Sequence, residues 1–315
     1  MQNMNRSPNS LKIVFFGTPK IAAEVLENLA KSEFKPQLAV TGVDEKTGRG
    51  RKLTETPVKT VAKNNKIKTL QPSNLDDGDF IKELKEFAPD VAVLVAYGEI
   101  IPDEVLQIPK FGFLNIHPSL LPKYRGPSPI VTAILNGDKI TGATVIVLDS
   151  ELDHGPQITQ REVEIANTDT HDSLATKLSS AGSKILIEIL PDYLSQNVTP
   201  EIQNHDTATY TEKITKASGK IDLTNPPDIE TLDRMIRAYF PWPAVWTELE
   251  LKSERVKELK KIRLKFLPNT PTILPSYNPT DLFLVQPEGK RPMTPKEFLN
   301  GYPMAKEKLE KIMTG

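Results

Sequence analysis

Two short stretches hold the residue types that could do chemistry. In Asn115-Ile116-His117-Pro118-Ser119-Leu120-Leu121-Pro122 an amide and an imidazole stand two positions apart. On an extended strand alternate side chains share a face, so both would project to the same side, about 6–7 Å apart. An amide donor beside an imidazole can hold a carbonyl oxygen as it becomes an oxyanion, and the imidazole can also carry a proton near neutral pH. The second stretch, Asp149-Ser150-Glu151-Leu152-Asp153-His154-Gly155, follows directly on another strand-like run. A carboxylate on such a loop can reach a histidine on a neighbouring strand, favour its charged form and orient a water.

These residues need a sheet to position them, and the sequence around them reads as one. Lys12 to Gly17 is a continuous apolar run closed by a glycine, the pattern of a strand buried on both faces. Thr18 and Pro19 supply a helix start, and Ile21, Val25 and Leu29 then form one apolar stripe. Further strands are expected at 38–43, 67–70, 91–96, 111–116, 142–149 and 158–165. Helices are expected at 58–64, 79–87 and 128–136, and a long one is capped by Thr170. Strands alternating with helices imply βαβ units and an α/β, Rossmann-like, mostly parallel sheet, whose ligands sit at the carboxyl ends of the strands. Asn115 and His117 stand at such an end. Gly17-Thr18-Pro19 offers one glycine where a dinucleotide fingerprint needs three, so nicotinamide cofactors are not indicated.

Composition narrows the chemistry further. The 315 residues suffice for two domains with their own cores. Forty Lys and Arg stand against 41 Asp and Glu, so no chain-wide field draws the protein to nucleic acid, although a local one can. There is no cysteine, hence no disulfide, thiolate metal site or thiol nucleophile; four histidines without ligand spacing complete the expectation of no metal. The longest apolar run, Val91 to Tyr97, falls far short of the roughly 20 residues of a membrane helix. Without a signal region, a cytoplasmic protein with no membrane partner is expected.

The chain divides into a loose polar tail (1–10), a catalytic domain (11–194), a linker (195–210) and a smaller domain (211–315). The linker is the aperiodic, apolar-poor stretch; beyond it comes one amphipathic helix from Ile229 to Tyr239. The sequence PWPAVW and short strands at 245–251, 261–267 and 282–286 follow, which suggests a small, OB-like β-barrel with Trp242 and Trp246 packed between helix and barrel. Residues 251–315 carry 13 Lys and Arg against 7 Asp and Glu. Strand alternation would gather Lys261, Arg263 and Lys265 on one face, either a phosphate-contacting surface or a solvated one.

Taken together, NIHPSLLPKYRG and LDSELDHG resemble the enzymes that use 10-formyltetrahydrofolate to formylate an amine. With IVFFGTP, GRGRKLTETPVK (48–59), VAYGEIIP (95–102), PWPAVW and the late LVQPEGKRPMTPKEFLNG (284–301), the chain is similar to the methionyl-tRNA formyltransferase family over residues 11–250. The resemblance implies a catalytic trio of Asn115, His117 and Asp153. It implies folate contacts from Ser119, Leu120, Leu121 and Pro122, with Val95, Tyr97 and Gly98 as a wall for the pterin. The loop from Asp44 to Pro57, with Arg49, Arg51 and Lys52, would be a mobile basic clamp for the initiator methionyl-tRNA, and the chain would act as a monomer without metal. Two positions depart from the family's pattern: Glu151 stands where a glycine is usual and His154 where a small residue is usual. The segment 253–281 resembles the family poorly. Other readings are a sugar-amine N-formyltransferase, which has little need of the basic loop and tail, and a glycinamide ribonucleotide formyltransferase, which has no second domain. A non-catalytic folate- or RNA-binding module is a fourth, and would need no proton carrier.

Overall fold

The computed structural model describes residues 11–47, 50–252, 259–269 and 283–309. Two compact units emerge from it. The first takes the chain up to Gly126, then Ile140–Glu164 and Ala175–Thr211; the second takes Pro127–Lys139, Ile165–Leu174 and the chain from Glu212 onward. The division therefore cuts 11–194 in two places. Residues 195–210, read as a linker, belong to the first unit, where Gln203 is buried.

The first unit is built on β1 (Ile13–Gly17), β2 (Leu38–Val40), β5 (Lys68–Leu70), β6 (Val91–Val95), β7 (Phe113–His117), β8 (Ile140–Val147) and β9 (Gln157–Glu164). These pair in the order β5-β2-β1-β6-β7-β8-β9. The first five run parallel, while β8 and β9 are antiparallel, each to its neighbour. The unit carries helices α1 (Lys20–Ala30), α2 (Pro57–Asn64), α3 (Gly78–Phe87), α4 (Asp103–Leu106) and α6 (His171–Leu194), α6 starting in residues of the second unit.

Strand alternation divides the core between the two sheet faces. Ile13, Phe15, Val91, Val93, Leu114 and Ile116 join one cluster with Leu26 and Leu29 of α1 and Ile185 and Leu190 of α6. Val14, Phe16, Ala92, Leu94 and Phe113 join the other with Phe80 and Leu84 of α3. Because Leu114 and Ile116 take the first face, Asn115 and His117 share the second with Phe113, at the carboxyl end of β7. The Thr18 hydroxyl does not cap α1, whose N-cap position is Pro19. It donates to the Tyr97 carbonyl at 3.0 Å and accepts from the Gly42 N–H at 3.2 Å, tying three strand ends together.

The 44–57 segment, expected as a loop, contains a hairpin of β3 (Glu45–Thr47) and β4 (Lys52–Thr54). Its base is held by Asp44, which pairs with Lys59 of α2 at 2.5 Å and accepts from Gln71 at 2.7 Å.

In the second unit, α5 (Pro129–Leu135) packs on α7 (Ile229–Tyr239), and β10 (Val245–Lys252), β11 (Leu259–Pro268) and β12 (Phe283–Pro287) form an antiparallel sheet followed by α8 (Pro295–Gly301). The sheet has three strands among the described residues; a closed barrel is not seen, and 253–258 and 270–282 lie outside them. Trp246 is buried, with its indole N–H donating to Lys216 O, but Trp242 is 60% exposed and does not pack as expected. The register opposes Lys261 to Glu250 and Arg263 to Glu248, and both become ion pairs, at 2.9 and 3.3 Å. Two of the three expected phosphate-facing cations are thus answered by the neighbouring strand.

Candidate active site

Three polar side chains of the first unit are buried together: Asn115 and His117 on β7, and Asp153 in the turn between β8 and β9. The Asn115 amide donates to Asp153 Oδ1 at 3.3 Å, and His117 Nδ1 faces the same oxygen at 3.3 Å. Asp153 Oδ2 accepts from the Gly126 N–H at 2.8 Å. On the far side of the ring, His117 Nε2 donates to the Tyr124 carbonyl at 2.9 Å. Both ring nitrogens therefore face oxygen acceptors.

Burial alone would push the Asp153 carboxyl upward. The attraction and hydrogen bond of His117, the Gly126 N–H and the Arg125 cation outweigh it and hold the group below the usual carboxylate range. The turn that delivers Asp153 is tightly specified. Asp153 itself takes a left-handed φ of +49°, and a Cβ on Gly155 would lie 1.8 Å from Val147 O, so only glycine fits there.

The segment after His117 is organised by Thr144, which lies opposite it on β8. The Thr144 hydroxyl donates to Ser119 O at 2.6 Å and accepts from the Leu121 N–H at 3.1 Å. Leu121 O accepts from Gln157 and Gln160, and the peptide bond to Pro122 is cis. The Ser119 hydroxyl is engaged with Lys123 O at 2.6 Å. Leu120 and Pro122 are half-buried, whereas Ser119 and Leu121 are buried.

The strand end Val95–Gly98 is split. Val95 and Tyr97 are buried in the core, and the Tyr97 ring packs edge-on against Phe16 at 5.6 Å, so Tyr97 backs the strand end from inside. Its phenol, with no hydrogen-bond partner among the described residues, is pushed up by burial and by Glu99. Gly98 is exposed at φ +99°, and among the described residues nothing lies within 4 Å of where a Cβ would stand. Leu94 pairs with Asn115, which puts that end beside the buried trio.

Of the basic residues, Arg51 and Lys52 are exposed on the hairpin, and neither forms an ion pair among the described residues; Arg49 lies outside them. Glu151 is exposed, and its backbone N–H donates to Asp149 Oδ1 at 3.0 Å. His154 donates to Asp149 at 2.7 Å and stacks on His205 with ring centroids 4.0 Å apart.

Several residues that complete the cluster carry no signal that pattern reading could use. Arg125 stands inside KYRG but at no helical or strand period, and its side chain is 1% exposed. Gln203 and His205 come from the polar, aperiodic stretch and meet Arg125 only through folding.

A Rossmann-like sheet with an amide, an imidazole and a carboxylate buried at its carboxyl edge defines a class of enzyme that can stabilise an oxyanion while moving a proton. The sequence model of the formyl transferase family matches residues 11–190, more than half of the chain, and the chain belongs to that family. Within it, the chain is 39% identical over 298 residues to a methionyl-tRNA formyltransferase of Thermodesulfovibrio yellowstonii, covering 92% of this chain and 95% of the relative. It is 38% identical over 310 residues to that of Methylococcus capsulatus, covering 95% and 99%. Among solved structures, the N-formyltransferase of Helicobacter canadensis in complex with folinic acid and dTDP-3-aminofucose aligns with a TM-score of 0.57 over 88% of this chain and 95% of its own, at 21% identity. That likeness concerns the fold. No helix among the described residues is long and apolar enough to cross a membrane.

Proposed function

We propose that this chain transfers the formyl group of 10-formyltetrahydrofolate to the α-amino group of methionine on initiator tRNA. The observation that carries this reading is the joint burial of Asn115, His117 and Asp153 at the end of β7, in a chain that aligns with methionyl-tRNA formyltransferases over nearly its whole length.

The amine nitrogen attacks the formyl carbon and forms a C–N bond, and the carbonyl oxygen becomes an oxyanion. One Asn115 amide hydrogen serves Asp153, and the second is the donor for that oxyanion. His117 adds positive charge and exchanges the Tyr124 carbonyl for the oxyanion as its Nε2–H partner. Asp153 orients the His117 ring, and a water beside the carboxylate relays the proton the amine must lose. Collapse of the intermediate breaks the bond between the formyl carbon and N10 of the folate, and the proton ends on that nitrogen. The products are tetrahydrofolate and the formylated aminoacyl-tRNA, and all atoms balance. Gly98 at the end of β6 and the half-buried Leu120 and Pro122 are the surfaces for the folate, supported from behind by Val95, Tyr97, Ser119 and Leu121. The exposed Arg51 and Lys52, together with Arg49, are the attraction for the acceptor-stem phosphates. No step calls for a metal.

The decisive experiment offers methionyl-tRNA and a nucleotide-linked aminosugar side by side with 10-formyltetrahydrofolate. Formyl transfer to the tRNA alone is expected; transfer to the sugar alone would overturn the reading in favour of a sugar-amine N-formyltransferase.

A further inference from the structure

Arg125 is the largest fully buried side chain among the described residues, and no step of the proposed transfer uses it. A guanidinium is always charged and only donates, so a fully buried one must be met by acceptors on every side. Here Nε and Nη2 both donate to Gln203 Oε1, at 3.1 and 2.7 Å. Nη2 donates to His205 Nδ1 at 2.8 Å, and Nη1 to the Tyr210 hydroxyl at 3.3 Å. Among the described residues no carboxylate forms an ion pair with it. Having its oxygen fixed by Arg125, the Gln203 amide can point its nitrogen one way only. That nitrogen donates to Asp153 O and to Gly155 O, both at 2.8 Å, the two carbonyls of the strained turn that carries the acid.

The main chain around Arg125 closes the same circuit. Its neighbour Tyr124 offers the carbonyl that takes the His117 Nε2–H, and its neighbour Gly126 offers the N–H that Asp153 Oδ2 accepts. Arg125 N donates to Thr209 O at 2.8 Å and Arg125 O accepts from Thr211 N at 2.8 Å, so residues 124–126 are pinned on the opposite side. His205 needs its Nδ1 unprotonated to accept from a guanidinium, and its ring is held flat against His154, which Asp149 anchors at 2.7 Å.

We propose that Arg125 and Gln203 form a positioning clamp that sets the Asp153 carboxylate against His117. Arg125 acts through Gln203 and through its own flanking peptide groups; neither residue touches the reacting atoms. The groups facing Asp153 are His117, Asn115, the Gly126 N–H and the Arg125 charge, and of these the clamp governs the last two directly.

This inference deepens the formyl-transfer reading and rests on it for its kinetic arm, so the test has a second arm independent of catalysis. Gln203→Leu keeps the size of the side chain and removes both its acceptor and its donors, and Arg125→Lys keeps a charge without the planar fork. In NMR titration of the Asp153 carboxyl resonance, assigned with Asp153→Asn, both variants are expected to raise the midpoint by about one pH unit, the size of effect a displaced charge or lost charged hydrogen bond produces. In formyl transfer, kcat is expected to fall on the order of tenfold or more with the KM for 10-formyltetrahydrofolate unchanged. A lowered melting temperature with the Asp153 midpoint and kcat both unmoved would overturn the clamp and leave Arg125 as packing. If the parent protein transfers no formyl group to methionyl-tRNA, the functional reading fails, while the titration still decides for or against the clamp. If Arg125→Lys does not fold, Gln203→Leu decides, since it leaves the buried guanidinium and its bond to His205 in place.

Discussion

Replacing Asp153 with asparagine preserves its size while removing the charge that answers His117 and the Gly126 N–H. At neutral pH the variant is expected to be less stable by about 2 kcal/mol, the scale of a buried charged hydrogen bond left without its acceptor. The folded carboxyl titrates below its unfolded value, so its contribution is complete above the unfolded pKa of about 3.9 and drains away as pH falls through the lower folded value. The stability gap between parent and Asp153→Asn should therefore be flat from neutral pH down to about 4 and narrow below it. Thermal melts across that range check this; a gap that narrows instead between about pH 5 and 7 would mean that another group is titrating. On the catalytic side, His117→Ala is expected to cost on the order of 10²–10³ in kcat while folate still binds, as loss of one oxyanion partner usually does. Unchanged turnover would remove His117 from the chemistry.

Individual elements divide into those that hold the sheet and those that face outward. Leu26 of α1 is fully buried against Phe15, Val93 and their neighbours, and Leu26→Ala is expected to cost about 2–5 kcal/mol. Denaturant unfolding measures it, and a loss under about 1 kcal/mol would mean that this face repacks freely. Thr56 caps α2 by accepting from the Lys59 N–H at 3.1 Å and shares a buried hydroxyl contact with Thr41 at 2.8 Å, so Thr56→Ala should cost about 1–2 kcal/mol. The β3–β4 hairpin behaves in the opposite way: its base is fastened by Asp44, Lys59 and Gln71, and its strands leave Arg51 and Lys52 in solvent. Replacing both by alanine is expected to leave the melting temperature unchanged and raise the KM for methionyl-tRNA well above any change for folate. Equal shifts for both substrates would mean that the hairpin is not the tRNA contact. The three-stranded sheet offers a weaker case for such a role, because Glu248 and Glu250 already neutralise Arg263 and Lys261.

For the molecule as a whole, a net charge of −1 means that attraction to an RNA comes from local clusters and not from a global field. Affinity for methionyl-tRNA should fall linearly in log–log plots against salt, and removing Arg51 and Lys52 should lower the slope by roughly 2, with about one counterion released per phosphate contact. A salt-independent affinity would favour a small-molecule acceptor.

Chain pattern foretold much of this molecule. Apolar runs such as Val91–Val95 and stripes such as Ile21, Val25 and Leu29 identify strands and helices because burial repeats at the period of the backbone itself. The two-residue spacing of Asn115 and His117 says that they share a face for the same reason. What such periods cannot carry is a contact made across long chain separations. Gln203 reaches Arg125 from 78 positions away, out of a stretch whose lack of period reads as a linker. Likewise two cations of the apparent basic stripe at 261–265, Lys261 and Arg263, are answered by glutamates whose opposition depends on strand register. Trp242 stands exposed where packing is expected, because the direction a side chain takes after a turn depends on backbone angles and neighbours, not on its own polarity. Local backbone geometry is written in neighbouring residues, whereas the surroundings of a buried charge arise only when distant segments meet and must satisfy its hydrogen bonds together.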